Sequence, residues 1–195
     1  MKQLMTAFAA LLVIGAGATS AMAEDFYGAL DVGQTKAKDA CMGAPADCKD
    51  TATLYRIAGG YQFTPTFGAE ISYADYGKAN LGSFAVFGVP VTSDWKITGE
   101  QLSVIGAFPL GDVFSLTGKV GVAHSTIKLS ANLPGNSVTL SSSSTNLAWG
   151  IGALFNINNS FAIRAQYEDL GNVGDAATTG TAKVSLMSVG AMLRF

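Results

Sequence analysis

Seven charged residues, Asp31, Arg56, Glu70, Lys119, Arg164, Glu168 and Arg194, stand singly in segments that are otherwise apolar or small. A solvated face would carry Lys and Glu in numbers, whereas these charges are isolated and of both signs. Withdrawn from water they must pair, because a lone buried charge is costly. Two chemistries follow: a neutralising network of salt bridges and hydrogen bonds, or a path along which ions pass between rearranged pairs. His124 is the only histidine and is followed by Ser125 and Thr126. Neighbours along a strand point to opposite faces, so Ser125 cannot serve His124; Thr126 shares its face. One histidine without a placed carboxylate is thin support for a nucleophile–base pair, and no enzyme is expected. Cys41 and Cys48 lie together in the polar segment from Lys38 to Asp50. In an oxidising compartment they predict a disulfide closing a small loop. A metal pair is the alternative, but no histidine lies near enough to complete it. There is no Gly-rich phosphate loop and no cluster with metal-ligand spacing, so no cofactor is expected.

The elements that position these residues are legible from alternation with period two. It predicts strands over Phe26–Thr35, Thr53–Phe63, Phe67–Tyr76, Trp95–Phe108, Val113–Lys128, Thr145–Phe155, Phe161–Leu170 and Ala182–Phe195. The seventh is the cleanest: Phe161, Ile163, Ala165 and Tyr167 on one face oppose Arg164, Gln166 and Glu168 on the other. Phenylalanine marks one boundary. Phe26, the pairs Phe63/Phe67, Phe108/Phe114 and Phe155/Phe161, and Phe195 bracket short turns at regular intervals. Aromatic rings are favoured at the headgroup level of a membrane, where barrels place girdles of them.

The first 23 residues read as an export signal. Lys2 is the basic region, Leu4 to Ala18 the apolar region, and Ala21-Met22-Ala23 a small-residue cleavage site before Glu24. Residues 24–195 then form one domain, and removing Lys2 takes the net charge from −2 to −3. No basic run suggests nucleic acid. No stretch of 18 apolar residues follows the signal, which excludes helical membrane spans. Yet 49% of the chain is hydrophobic and 13% charged. An antiparallel sandwich also alternates, but here the polar face is Gly, Ser and isolated charges, and short connections alternate strictly with long ones. Both features point to an all-β, closed, eight-stranded antiparallel transmembrane barrel, an up-and-down meander with lipid outside and charge within.

An internal echo fits that count. Phe67 to Gly77 and Phe161 to Gly171 both open after a short turn and close on Tyr-x-Asp-(Tyr/Leu)-Gly, four strands apart. With the leader, the eight strands and the terminal Val189-Gly190-Ala191-Met192-Leu193-Arg194-Phe195, the chain resembles the outer membrane protein A-like β-barrel family across residues 24–195. The resemblance implies a barrel in the outer membrane, embedded in lipid and lipopolysaccharide, inserted by the barrel assembly machinery, and monomeric. Phe195 would supply the terminal aromatic residue that the machinery reads. Many members carry a peptidoglycan-binding domain after the barrel; the chain stops at Phe195, so that role is not carried over. Lipid A deacylases with eight strands also exist, and His124 is the only residue that points toward them.

Eight strands enclose a lumen that side chains can fill, so the charges read as a plug before they read as a channel. Function then falls to the loops. Lys38–Asp50 is polar, Asn132–Ser144 is rich in Ser, Thr and Asn, and Gly171–Gly180 is small. Leu81–Val91 is apolar, with Phe84 and Phe87 as candidate contacts for a host or cell-surface ligand, unless it packs on other loops or extends a hairpin. The expectation is a structural surface protein with loops available for adhesion or recognition. The alternative is a narrow channel or a conduit for small hydrophobic molecules.

Overall fold

The computed structural model describes residues 26–38, 49–86, 89–133, 136–175 and 180–195. Its strands are β1 (Phe26–Lys38), β2 (Thr51–Gln62), β3 (Phe67–Val86), β4 (Val89–Pro109), β5 (Phe114–Leu133), β6 (Asn136–Asn156), β7 (Phe161–Asp175) and β8 (Gly180–Arg194). Each is antiparallel to the next, and β8 pairs with β1 to close the barrel. At that seam Tyr27 lies opposite Arg194 and Lys38 opposite Lys183. The Phe195 amide donates to the Phe26 carbonyl at 3.0 Å, completing the ladder at the terminus. Closure leaves no unpaired edge, the condition for a sheet to sit in hydrocarbon.

The short turns fall between the phenylalanine pairs. Phe63 and Ile157 amides donate to the Phe67 and Phe161 carbonyls, both at 2.9 Å. Thr64 Oγ1 accepts from the Phe67 amide at 2.9 Å, and Asn158 Oδ1 from the Phe161 amide at 2.7 Å. Small polar side chains thus satisfy turn amides that lie outside the ladder.

At the opposite end the strands overrun their expected limits. β3 continues to Val86 and β4 begins at Val89, so most of Leu81–Val91 is a hairpin, with Phe84 paired to Val91. Asn132–Ser144 was expected to be a solvated loop and is largely strand, with Ser125–Leu133 paired to Asn136–Ser144. Gly171–Asp175 likewise continues β7. Above the membrane both faces of a hairpin meet water, so apolar/polar alternation fades while backbone groups still require partners. The strand persists without its sequence signature. Phe87, Cys41, Cys48 and residues 1–25, with the export signal expected over residues 1–23, lie outside the described residues.

The echo becomes a structural device. Gly77 (φ 91°) and Gly171 (φ 71°) sit in left-handed backbone at register shifts in β3 and β7. In each, the preceding Asp caps the bulge: Asp75 Oδ1 accepts from the Gly77 amide at 2.9 Å, and Asp169 Oδ1 from the Gly171 amide at 2.8 Å. The second carboxylate oxygen holds a lysine on the next strand, Lys96 at 2.8 Å and Lys183 at 3.0 Å.

Candidate functional site

Within the barrel, six of the seven isolated charges form a closed cycle. Asp31 Oδ2 accepts from Arg56 Nε (2.7 Å) and Arg164 Nη2 (2.6 Å). Glu70 accepts from Arg164 Nη1 at 2.6 Å and lies 3.4 Å from Lys119 Nζ. Glu168 is bonded to Arg56 Nη1 and, at 2.8 Å, to Lys119 Nζ. Each acid therefore touches two bases and each base two acids: Asp31–Arg56–Glu168–Lys119–Glu70–Arg164 and back. All six side chains are at most 3% exposed. They come from β1, β2, β3, β5 and β7, up to 133 residues apart. Three negative charges meet three positive ones, so desolvation is offset without a leftover ion.

Tyr27, Gln166 and Ser188 extend the cycle. The Tyr27 hydroxyl donates to Glu70 Oε2 at 3.2 Å, and Arg56 Nη2 donates to Gln166 Oε1 and, at 3.2 Å, to Ser188 Oγ. Alternation puts Gln166 on the charged face of its strand, whereas Tyr27 and Ser188 carry no isolated-charge signal and spacing alone does not mark them. Arg194, grouped with the cycle by type, stands apart from it. Its guanidinium donates to Asn156 Oδ1 at 2.8 Å and to the Asn159 carbonyl at 3.4 Å, at the short-turn mouth.

Apolar layers lie on both sides of the cycle. Toward the short turns, Tyr27, Ala29, Ala58, Leu154, Ala162 and Met192 pack together. A cavity of about 50 Å³ beside Arg164, Leu154 and Met192 is room for water, not for a solute. Toward the hairpins, Leu54, Tyr76, Trp95, Ile97, Ile127, Leu170, Val184 and Leu186 fill the lumen. Leu54, Tyr76, Ile127 and Leu170 share the parity of the ring charges on their strands, so their inward direction was readable, but their convergence with Trp95, Ile97, Val184 and Leu186 was not.

The outer wall reads in reverse. From Phe26 to Val32, Phe114 to Val122 and Phe155 to Leu147, the outward residues are apolar, aromatic or small. Seven to nine residues at a tilt near 40° cover about 20–25 Å, the height of a lipid-facing band. Phenylalanines ring the lower edge, with Phe26 and Tyr61 4.7 Å apart between centroids. Tyr55, Tyr73, Trp149 and Tyr167 line the upper part as a second girdle; Trp149 packs on Tyr167 at 6.4 Å. Higher still, every strand turns polar on its outward face, at Gln34, Thr53, Asp75, Glu100, His124, Thr145, Asp169 and Ser185. Here His124 Nδ1 meets Thr145 Oγ1 at 2.8 Å, and Glu100 pairs with His124 in register. Ser125 is buried on the other face, and Thr126 bonds Ser143 instead, at 2.9 Å.

A closed eight-stranded sheet with an oily wall, aromatic girdles and an ionic interior defines a transmembrane β-barrel of the outer-membrane type. Residues 21–195 match the OmpA-like transmembrane domain, and the chain belongs to that family. Outer membrane protein A of Shigella flexneri is 30% identical over 139 residues, 70% of this chain and 38% of that protein. The Klebsiella pneumoniae protein is 28% identical over 140 residues, 70% and 39%. The chain therefore spans under half the length of these relatives. Among solved structures, OprG of Pseudomonas aeruginosa superposes with a TM-score of 0.62 at 17% identity, covering 88% of this chain and 95% of that one. Neisserial surface protein A gives 0.57 at 18%, covering 87% and 97%. Ail, the attachment invasion locus protein of Yersinia pestis, gives 0.53 at 21%, covering 88% and 99%. These are likenesses of fold. The protein is a multi-strand barrel of the outer membrane.

Proposed function

We propose that this barrel is a surface protein: a plugged cylinder in the outer membrane that holds a β-sheet beyond the lipid for contact with other molecules. The supporting observation is the projection of β3, β4, β5 and β6, each 20 or 21 residues long. Crossing a membrane takes about 9–11 residues, so each strand has about 10 left to rise above the polar ring, roughly 25 Å at barrel tilt. By the usual topology of such barrels the short turns face the periplasm and the hairpins face outward. Val138 and Leu140 on the projecting part of β6 are about half exposed, apolar contacts available to a partner. Ail, which shares the fold, is the attachment invasion locus protein of Yersinia pestis; the proposal extends attachment to this chain, with the β3–β4 hairpin, in which Phe84 pairs with Val91, at its centre.

Grafting the projecting hairpins onto a non-adhesive eight-stranded barrel tests this on whole cells. Transfer of surface or host-cell binding with the hairpins supports the reading; binding that stays with the original barrel wall removes it. The channel reading competes through the ionic cycle, and planar bilayer recording separates the two. A plug gives no steps above noise, while reproducible unitary conductance favours a path through the rearranged pairs. The lipid-modifying reading rests on His124, whose bonded hydroxyl is Thr145; His124→Ala leaves lipid A acylation unchanged if the residue is interfacial only.

A further inference from the structure

Above the lipid, β3, β4, β5 and β6 continue as a sheet whose flanking strands do not follow it. β2 pairs with β3 only as far as Asp75, and β7 pairs with β6 only as far as Trp149. The projecting sheet therefore ends in two edges, whereas the cylinder within the lipid has none. An edge presents unpaired backbone donors and acceptors, a template for another strand. The two edges are not alike. On β3 the register shifts twice, between Asp75 and Lys78 and between Asn80 and Gly82, and exposed Lys78 stands at the first shift. Bulges and an edge lysine keep further strands from adding. β6 carries neither device. Its register with β5 runs from Asn136 to Phe155 without a shift, it contains no proline, and no charged residue occurs between Lys128 and Arg164.

Hydrogen-bond direction shows which groups are open. The Asn156 amide donates to the Val113 carbonyl at 2.7 Å, so even-numbered residues of β6 turn their backbone groups to β5 and odd-numbered ones turn away from it. Just above Trp149, side chains bridge to β7: Asn146 Nδ2 donates to the Asn172 carbonyl at 2.6 Å, and the Gly174 amide to Ser144 Oγ at 3.3 Å. Higher up, Ser137, Thr139, Ser141 and Ser143 direct their amides and carbonyls to a side where no strand pairs among the described residues. Their hydroxyl side chains are exposed. On the other face of the same stretch, Val138 and Leu140 are about half exposed.

We propose that the upper edge of β6 pairs with the same edge of a second copy of this chain held in a facing membrane, fusing the two projecting sheets into one. The pairing rests on the surface function proposed for the barrel and names its partner. Antiparallel pairing centred on Leu140 sets Thr139 against the partner's Ser141 and Ser137 against the partner's Ser143. Each such pair exchanges two hydrogen bonds, about eight in all. Leu140 then lies against its own counterpart. An edge that pairs with itself brings any charge within reach of the same charge, which destabilises a sheet. The uncharged run meets that requirement, and it offers a charged partner nothing to hold. The two-fold axis of an isologous antiparallel pair stands perpendicular to the sheet. A barrel wall is upright in the membrane, so this axis lies along the membrane plane and inverts the second copy. Copies in one membrane cannot pair this way; copies in two facing membranes can. Leu140 is five residues above Thr145, about 12 Å at barrel tilt, which sets the two polar rings about 25 Å apart.

The full chain reconstituted into phosphatidylcholine vesicles provides the test, with clustering followed by light scattering. Wild-type vesicles should cluster. Thr139→Pro removes an edge amide, and Thr139→Lys sets a charge near its counterpart; neither touches a backbone bond to β5. Each is expected to slow clustering about tenfold or more, because the two-fold axis counts every lost hydrogen bond twice. Ser130→Lys adds the same charge opposite Thr139 but one strand inside the edge, and should cluster as the wild type does. Leu140→Cys in two differently tagged vesicle populations, mixed under oxidising conditions, should give a dimer carrying both tags, since opposed residues lie within disulfide reach. The wild type is the blank for Cys41 and Cys48. Unchanged clustering of both Thr139 variants, or no mixed dimer above the blank, overturns the proposal. So does a wild type that leaves vesicles dispersed yet captures an extended peptide of unrelated sequence. Heat-modifiable gel mobility checks the barrel of every variant. Dispersed wild-type vesicles with normal mobility sink self-pairing alone, and host-cell binding by grafted hairpins would still support the surface reading. A wild type that fails to insert removes both.

Discussion

Arg164 shows most clearly what a single residue does here. It donates to Asp31 through Nε and Nη2 and to Glu70 through Nη1, at 2.6–2.7 Å, and so joins β7 to β1 and β3 across the lumen. Removing one member of a buried ion pair strands its partner, at a cost of about 3–5 kcal/mol. Arg164→Met and Glu70→Gln are each expected to lower unfolding stability in urea by that amount. The double variant should lose less than the sum, because it removes one acid and one base together and leaves Asp31–Arg56–Glu168–Lys119 as a charge-balanced chain. Additive losses would show that the cycle does not act as a unit. Isolation in an apolar strand was enough to nominate these residues. Nothing in the spacing said that Arg194 would leave the group for Asn156 and the turn, because a one-dimensional pattern gives the face of a residue and not its height.

At the scale of elements, the Asp-x-Gly bulges divide into a strained and an open case. Both glycines have positive φ, where an L side chain costs about 1–2 kcal/mol. A Cβ on Gly77 would also lie 2.4 Å from the Thr53 carbonyl oxygen, whereas one on Gly171 would meet nothing nearer than 3.6 Å. Gly77→Ala should therefore destabilise the barrel clearly more than Gly171→Ala, read as the shift in urea midpoint in detergent micelles; equal shifts would discount the backbone clash. The hairpins make the opposite point. Strand ends at Tyr76 and Trp95, at Lys128 and Thr145, and at Leu170 and Ala182 were expected where alternation stops. The observed strands continue because hydrogen bonding, not burial, holds a hairpin above the lipid.

For the whole molecule, three stacked layers in the lumen argue for a barrel that folds independently of its projections. Replacing Gly82–Thr92 by a two-residue turn shortens the β3–β4 hairpin without touching Trp95, Tyr76 or the ionic cycle. The shortened protein should keep heat-modifiable mobility and protease resistance in detergent; loss of either would mean that the hairpin tips help close the lumen. The family match over residues 21–195 and the superposition on OprG at 17% identity show that the fold is shared.

The chain by itself determined the number of strands, the closed meander, the aromatic lower edge and the inward direction of six charges. Those follow from local rules, period two along a strand and the preference of rings for an interface. Only the tertiary structure decided that the six charges form one alternating cycle and that apolar layers seal it on both sides. Each of these depends on barrel shear and on the register between strands, which bring together residues as much as 133 positions apart. No pattern within a single strand encodes the height at which its neighbour will stand.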